Sequence, residues 1–364
     1  MQNENVDSKV YEEIKEKIVI EKLSDVKMKK IDWLWENIIA YGKITLFAGE
    51  PGMGKSQILL YIASIISNGE MFHLEKTKCE RGKVLLITNE DNVEDTIKPR
   101  LSVLKANMNN IHSLKGIRKT DKKGNEYYDV ISLVEHLYLL EDQIIEEKYK
   151  LIVVDPITMY LGSTDQNQNK EIRTALGMLQ AVAERHKTAM LINSHFAKQG
   201  NVKKAAIDRI MGSVGFAGAA RIIFGMIRDP EDQNKRLFMP IKNNLGPDDF
   251  GYQYVLSPQR LINGIGEIKT CKIDWLEGKV DKKIDDIINT VKVEKDSPVL
   301  DKTVDFLLQE LRYEGQFLSD LRKKAQSQGI SMDRLYKAKK LLNLYEDDYT
   351  GRKRWYISPS TPEK

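Results

Sequence analysis

The chain has 364 residues, 41% of them hydrophobic and 30% charged, with a formal net charge of +4. That length holds one large domain and a small one, and the balance is that of an ordinary soluble protein with enough apolar material for a real core. Only two cysteines occur, Cys79 and Cys271, without metal-ligand spacing, which excludes a disulfide framework, a zinc ribbon or a zinc-bearing primase module. A polar, acidic start at Met1–Val10 is unlike a secretory signal. No apolar run approaches the roughly 18 residues of a membrane span, so a cytoplasmic protein with no membrane partner is expected.

Residues 1–30 are charged and mixed, with one amphipathic helix expected around Tyr11–Leu23. From residue 31 to 263 short β-rich runs alternate with helical stretches: Lys43–Ala48, Lys83–Thr88, Leu151–Val154, Thr188–Asn193, Arg221–Met226 and Leu237–Ile241. Continuous apolar runs of this kind read as central strands of a mainly parallel sheet covered by helices on both faces, an α/β fold. Residues 264–296 read as a charged connector with one apolar island at Ile273–Leu276.

Residues 297–361 read as a separate small domain. Ser297-Pro298 suits a helix start, and Leu300, Val304, Leu307, Leu308 and Leu311 fall on one helical face. A second helix is expected over Phe317–Gln328, stopping at Gly329. Ser331 would cap a third, with Leu335, Ala338, Leu341 and Leu342 turned inward and Arg334, Lys337, Lys339 and Lys340 on its other faces. Tyr345–Tyr349, a turn at Thr350-Gly351 and Arg352–Ile357 read as a hairpin. Three helices followed by a hairpin is the order of a winged helix. Between Leu321 and Tyr356 ten Lys/Arg face four Asp/Glu, a local basic excess that suits nucleic acid.

Gly49-Glu50-Pro51-Gly52-Met53-Gly54-Lys55-Ser56 satisfies the phosphate-loop pattern G-x-x-x-x-G-K-S/T, with a strand before it and a helical run, Gln57–Ile66, behind it. Its glycines let backbone N–H groups turn toward phosphate oxygens at the positive end of the following helix. Lys55 would reach the β- and γ-phosphates of ATP, and the Ser56 hydroxyl would hold Mg²⁺. Asp155, at the end of a buried strand, is the expected carboxylate of the Mg²⁺ shell. No glutamate follows it, so the group that activates the attacking water must come from elsewhere. Glu90 lies where another strand opens into Asn89-Glu90-Asp91, and a carboxylate at a strand's carboxyl end points into the ligand crevice. The competing reading is that Glu90 or Asp91 caps the helix expected over Asn92–Met108. His195, ending the Thr188–Asn193 run, could meet the γ-phosphate or its water as a neutral imidazole. Ser194 has no nucleophilic setting.

Taken together, several features resemble the RecA-fold ATPases grouped with the plasmid replicative helicase RepA, found in phages and mobile elements. They are Asp32-Trp33-Leu34-Trp35, the phosphate loop, Asn89-Glu90-Asp91, Val154-Asp155-Pro156, Ser194-His195-Phe196-Ala197-Lys198, Gly212-Ser213 through Ala220-Arg221, and Lys242-Asn243-Asn244. The likeness covers roughly Ile31–Leu256. It implies a RecA-like core and a homo-oligomeric ring, a hexamer, that hydrolyses ATP between subunits and moves on single-stranded DNA in the replication of a mobile element. Within that picture Glu90 is the catalytic base and Arg221 the arginine finger acting on the next subunit's ATP. DnaB-type relatives carry Lys-x-Arg on a late strand where this chain has Lys242-Asn243-Asn244. Asn244 supplies no guanidinium, while Lys242 could still touch the γ-phosphate.

In RecA-like folds the loops after the Asp and His strands face the channel. Here they are Gly162–Glu171 and Gln199–Val214, which place Lys198, Lys203, Lys204 and Arg209, with Lys170 and Arg173, as DNA-phosphate contacts. Duplex DNA would be met by the Ser331–Leu342 helix, through Arg334, Lys337 and Lys340, and by a basic wing of Arg352, Lys353 and Arg354. Two other readings stand beside the helicase: a RecA-like repair ATPase that remodels DNA without unwinding it, and an ATP-switched DNA-binding initiator or regulator.

Overall fold

All six apolar runs read from the sequence are strands of one nine-stranded sheet. The structure is a computed structural model and describes residues 18–161, 169–197, 205–210, 213–264, 266–311, 315–342, 344–349 and 351–356. Two compact units emerge, residues 1–32 and 33–364. In the first, the helix expected around Tyr11–Leu23 is not continued by its described part: residues 18–22 are irregular, a short 3₁₀ turn occupies Leu23–Asp25, and Ile18, Val19 and Ile20 are exposed. Residues 11–17 lie outside the described residues.

The second unit opens with β1 (Trp33–Trp35) and β2 (Ile39–Ala40), a small antiparallel pair. Trp35 is fully buried, stacks on Phe72 and donates its indole N–H to the Leu74 carbonyl. β3 (Ile44–Gly49) leads into the phosphate loop and α1 (Lys55–Asn68). β4 (Val84–Thr88) is followed by a π-helical turn, Val93–Ile97, and the short α2 (Lys98–Val103). The helix expected over Asn92–Met108 instead opens as a π turn and ends at Val103; Pro99, in the first turn of α2, has no N–H for an ordinary α-helical bond. Next come β5 (Ile111–Ser113), the hairpin β6 (Ile117–Thr120) and β7 (Glu126–Asp129), α3 (Leu137–Glu147), β8 (Leu151–Asp155), α4 (Asn169–His186) and β9 (Ala189–His195). Then α5 (Ser213–Ala219), β10 (Ile222–Arg228) and β11 (Arg236–Asn243) complete the expected series.

Residues expected as a charged connector instead extend the sheet. β12 (Gly251–Asn263) and β13 (Gly266–Val280) form a long antiparallel hairpin, giving the order β13-β12-β11-β10-β3-β9-β8-β4-β5. Alternation explains it: the side chains of Ile273 and Tyr254 enter the core while intervening charges face out, so a two-faced edge strand carries the charge that a linker would. From β10 to β5 the strands are parallel, while β11 to β13 are antiparallel. Successive residues of β3 feed opposite cores: Ile44, Leu46 and Ala48 join α3 and α4, while Phe47 joins α1 and α2. A strand covered on both faces has no polar alternation to show, which is why these runs are continuously apolar. This is an α/β core with a mainly parallel sheet covered on both faces.

α6 (Ile284–Glu310) begins well before Ser297-Pro298. Ile284, Ile287 and Ile288 are buried in the core, and Asp285 and Asp286 favour the positive helix start. Beyond it, β14 (Gln316–Phe317), α7 (Leu318–Ser327), α8 (Met332–Leu341), β15 (Tyr345–Tyr349) and β16 (Arg352–Tyr356) make two helices and a three-stranded sheet. They share a separate apolar cluster of Phe306, Leu307, Leu311, Leu321, Ala325, Leu335, Ala338, Leu344 and Trp355. Leu308, expected inside, is exposed, and Phe306 takes its place. The side chains of Leu300 and Leu341 lie outside the described residues.

Candidate nucleotide site

Parallel pairing carries four chemically distinct groups to one edge of the sheet. In register, Gly49 lies beside His195, and Thr88 lies beside Asp155. The carboxyl ends of β3, β9, β8 and β4 therefore present, in that spatial order, the phosphate loop, His195, Asp155 and Glu90. Ligands bind outside the carboxyl ends of strands in such sheets. Within the loop, Gly52 and Gly54 have φ of 78° and 82°, a region where side chains are strained, and a Cβ on Gly54 would also press on Leu256 at 2.9 Å. The Tyr254 hydroxyl donates to the Met53 carbonyl at 2.6 Å and holds the loop from the β12 side.

Ser56 donates its hydroxyl to Asp155 Oδ2 at 2.8 Å, and Asn193 Nδ2 donates to the other oxygen, Oδ1. Lys55, buried, turns its ammonium onto the carbonyls of Gly49 and Glu50 at 3.1 and 3.0 Å. Burial lowers the Lys55 pKa, opposed by the carboxylates of Asp155, Glu90 and Glu50. Burial, then the nearby Lys55 charge, lowers the His195 pKa against the pull of Glu90 and Asp155, so the imidazole is neutral at neutral pH. Lys55, His195, Asp155 and Glu90 thus share one electrostatic field. The buried Tyr160 hydroxyl is pushed up by burial and by Asp155. Four buried polar atoms around this edge lack a partner among the described residues: Tyr160 Oη, Asn193 Oδ1, Ser194 Oγ and His195 Nδ1.

These residues fit a nucleotide triphosphate with Mg²⁺. Ser56 and Asp155 are hard oxygen donors already within contact of each other, and Mg²⁺ usually takes one or two carboxylates plus phosphates and water. Among the described residues no three His, Cys, Asp or Glu gather as a protein-only metal cage.

Glu90 is exposed and does not cap the following turn; Asn92 does, accepting from the backbone N–H of Glu94 at 2.7 Å and Asp95 at 3.4 Å. Asp91 pairs with Arg100. Of the acidic pair, Glu90 is the one whose field reaches Lys55 and His195.

Arg221 and Lys242 lie at the opposite edge. Arg221 precedes β10, whose Ile222 pairs with Thr45 while Met226 pairs with Gly49. At about 3.3 Å per residue, Arg221 sits roughly 16 Å below the start of its own phosphate loop. Lys242 pairs with Ile223 at that same lower edge and donates to the carbonyls of Ala217 and Ala220 at 2.8 and 2.9 Å, closing the end of α5. Lys242, expected near a γ-phosphate, therefore lies remote from the phosphate loop of its own chain. Burial and then the adjacent Arg221 lower the Lys242 pKa.

Arg209, expected on the DNA surface, is buried. Its guanidinium bonds Glu50 Oε1 at 3.0 Å and lies over the Phe196 ring, 5.0 Å from its centroid. In the hairpin expected as a basic wing, Lys353 pairs with Glu346 at 3.1 Å and Arg354 with Asp347 at 2.7 Å. The sequence shows these charges but not the partners that the fold brings to them. Arg334, Lys337 and Lys340 are exposed on α8, as expected. Arg173 is exposed, while Lys198, Lys203, Lys204 and the side chains of Lys170 and Arg352 lie outside the described residues. Asn193 escaped the sequence reading, although a polar residue inside the apolar run Leu191-Ile192-Asn193 was a usable signal.

A family model described as an AAA domain matches residues 12–201. No curated protein matches the chain. Among solved structures the chain is similar to one described as an ATPase domain, at 14% identity and a TM-score of 0.41, over 59% of this chain and 80% of that one. Among the described residues no helix is long and apolar enough to cross a membrane.

Proposed function

Since the chain belongs to the AAA-domain family, we propose that it is a DNA-dependent ATPase working as a ring-shaped helicase or translocase on single-stranded DNA. The observation that carries the ATPase reading is the convergence of Lys55, Ser56, Asp155, Glu90 and His195 at one sheet edge, with Ser56 and Asp155 bonded at 2.8 Å. Lys55 binds and orients the β- and γ-phosphates. Ser56 and Asp155 hold Mg²⁺, which when bound neutralises charge on the phosphate oxygens. Asn193 keeps the Asp155 carboxylate turned toward Ser56. Glu90 accepts the proton of the attacking water, and neutral His195 hydrogen-bonds the γ-phosphate or that water.

Support for a shared site comes from Arg221: it is exposed at the edge remote from its own loop, where it suits another copy's nucleotide. A homo-oligomer, a hexamer in the RepA pattern, supplies that neighbour. The winged-helix reading of residues 297–361 rests on the helices and small sheet of the tail, and the exposed Arg334, Lys337 and Lys340 on α8 suit duplex phosphates. Replication of a mobile element is the setting that the RepA-like residues favour.

The test is ATP turnover with and without single-stranded DNA, alongside the mass of the assembled particle and strand separation on a forked duplex. Glu90→Gln should retain ATP binding and lose turnover by about 10²-fold or more, because an amide keeps the shape but accepts no proton. Normal turnover in Glu90→Gln would remove Glu90 as the base. A monomeric particle without DNA-stimulated turnover would remove the motor reading.

A further inference from the structure

Glu50 is the second residue of the phosphate loop, and it places a negative charge where a triphosphate must bind. Its side chain is half exposed, and its field reaches Lys55. Left alone, that carboxylate would repel the ligand that the loop is built to hold. Arg209 meets it at 3.0 Å.

Arg209 is not a casual surface partner. It is 5% exposed and lies over Phe196, and its pKa is lowered by burial against the pull of Glu50 and Asp285. Its own backbone carbonyl accepts from Ala197 N–H at 2.6 Å, and the adjacent Ile210 bridges to Phe196. Phe196 N–H in turn donates to the Gly49 carbonyl at 3.2 Å, which also accepts from Lys55. One residue therefore touches the loop by charge and braces the end of β9, beside His195, by its backbone. Asp285, the other carboxylate that Arg209 feels, is held by Ala206 N–H at 2.6 Å and stays in place when Glu50 changes.

We propose that Arg209 is a positioning residue of the nucleotide site: braced on the end of β9 by its backbone, it neutralises Glu50, and this keeps the phosphate loop receptive to a triphosphate. The proposal rests on the ATPase reading above, and it replaces the expected DNA-contact role of Arg209.

A double-mutant cycle on the full chain tests it, with the Kd for a non-hydrolysable ATP analogue and Mg²⁺ as readout. Arg209→Gln should weaken binding about tenfold, because Glu50 is then an unscreened charge beside the phosphates. Adding Glu50→Gln should restore the Kd to within about twofold of the unaltered chain. A residue that merely filled space would show no such rescue. If Arg209→Gln fails to fold, Glu50→Gln alone decides: it should bind about threefold more tightly, since the charge of Arg209 is then no longer offset beside the phosphates. Unchanged affinity in a folded Arg209→Gln, a double variant as weak as the single, or Glu50→Gln binding no more tightly than the unaltered chain would each overturn the proposal. Absence of binding by the unaltered chain would overturn the ATPase reading and the proposal together.

Discussion

The two edges of the central sheet are both polar, but they are polar for different reasons. At the carboxyl edge the side chains converge: Ser56 on Asp155, Asn193 on Asp155, and Lys55 in the field of three carboxylates. At the amino edge they satisfy local structure or stand exposed: Lys43 pairs with Glu184, Lys242 closes the end of α5, and Arg221 faces outward. Convergence marks groups that one chain brings together by itself. Arg221, exposed at the far edge beside a lysine spent on helix carbonyls, is remote from its own phosphate loop.

The difference can be broken experimentally, starting where the effect is largest. Lys55→Ala should abolish hydrolysis, by about 10³-fold or more, and weaken nucleotide binding as well, because the β- and γ-phosphates lose the buried cation of the loop. Turnover and a fluorescent-nucleotide titration read both effects. If binding and hydrolysis both survive, the carboxyl edge is not the nucleotide site.

Arg221→Ala should cost turnover about 10³-fold while leaving the nucleotide Kd unchanged, since Arg221 lies at the other edge. Mixing it with Lys55→Ala subunits should restore part of the activity, because some junctions then join an intact loop to an intact Arg221. Normal turnover by Arg221→Ala alone would make the amino edge an ordinary surface.

Asn193→Ala tests the convergence from behind the carboxylate. Asp155 loses one of its two hydrogen bonds, and the Mg²⁺ concentration for half-maximal turnover should rise by about tenfold with the nucleotide contacts otherwise intact. An unchanged Mg²⁺ dependence would mean that Ser56 alone orients Asp155.

Lys242→Met should give the smallest change. Two carbonyls at the end of α5 lose their donor, so thermal unfolding should register a loss of about 1–2 kcal/mol while nucleotide binding stays as it was. A large rise in the Kd with unchanged stability would return Lys242 to the phosphates.

Much of the carboxyl edge was legible in the sequence because its signals are local. A phosphate loop needs its glycines, lysine and serine at fixed offsets, and buried parallel strands are continuously apolar, so β3, β4, β8, β9 and β10 declare themselves and their last residues follow. The β12–β13 hairpin was hidden for the opposite reason: an edge strand with one wet face has the composition of a charged linker. Likewise the first turn of α6 was hidden within charge, its three isoleucines too few to stand out from the acidic and basic residues around them.

What the sequence determined by itself is the place of Lys55, Ser56, Asp155, Glu90 and His195 at or just beyond strand ends, because each is tied to a short contiguous pattern. Only the tertiary structure decided which charges are spent on one another. Arg209 finds Glu50 across 159 residues, Asn193 finds Asp155 across 38, and the wing's Lys353 and Arg354 meet Glu346 and Asp347 through a hairpin register. A charge is visible in sequence, but its partner is chosen by the fold: Arg209 is buried against Glu50, while Lys353 stays exposed although it is paired.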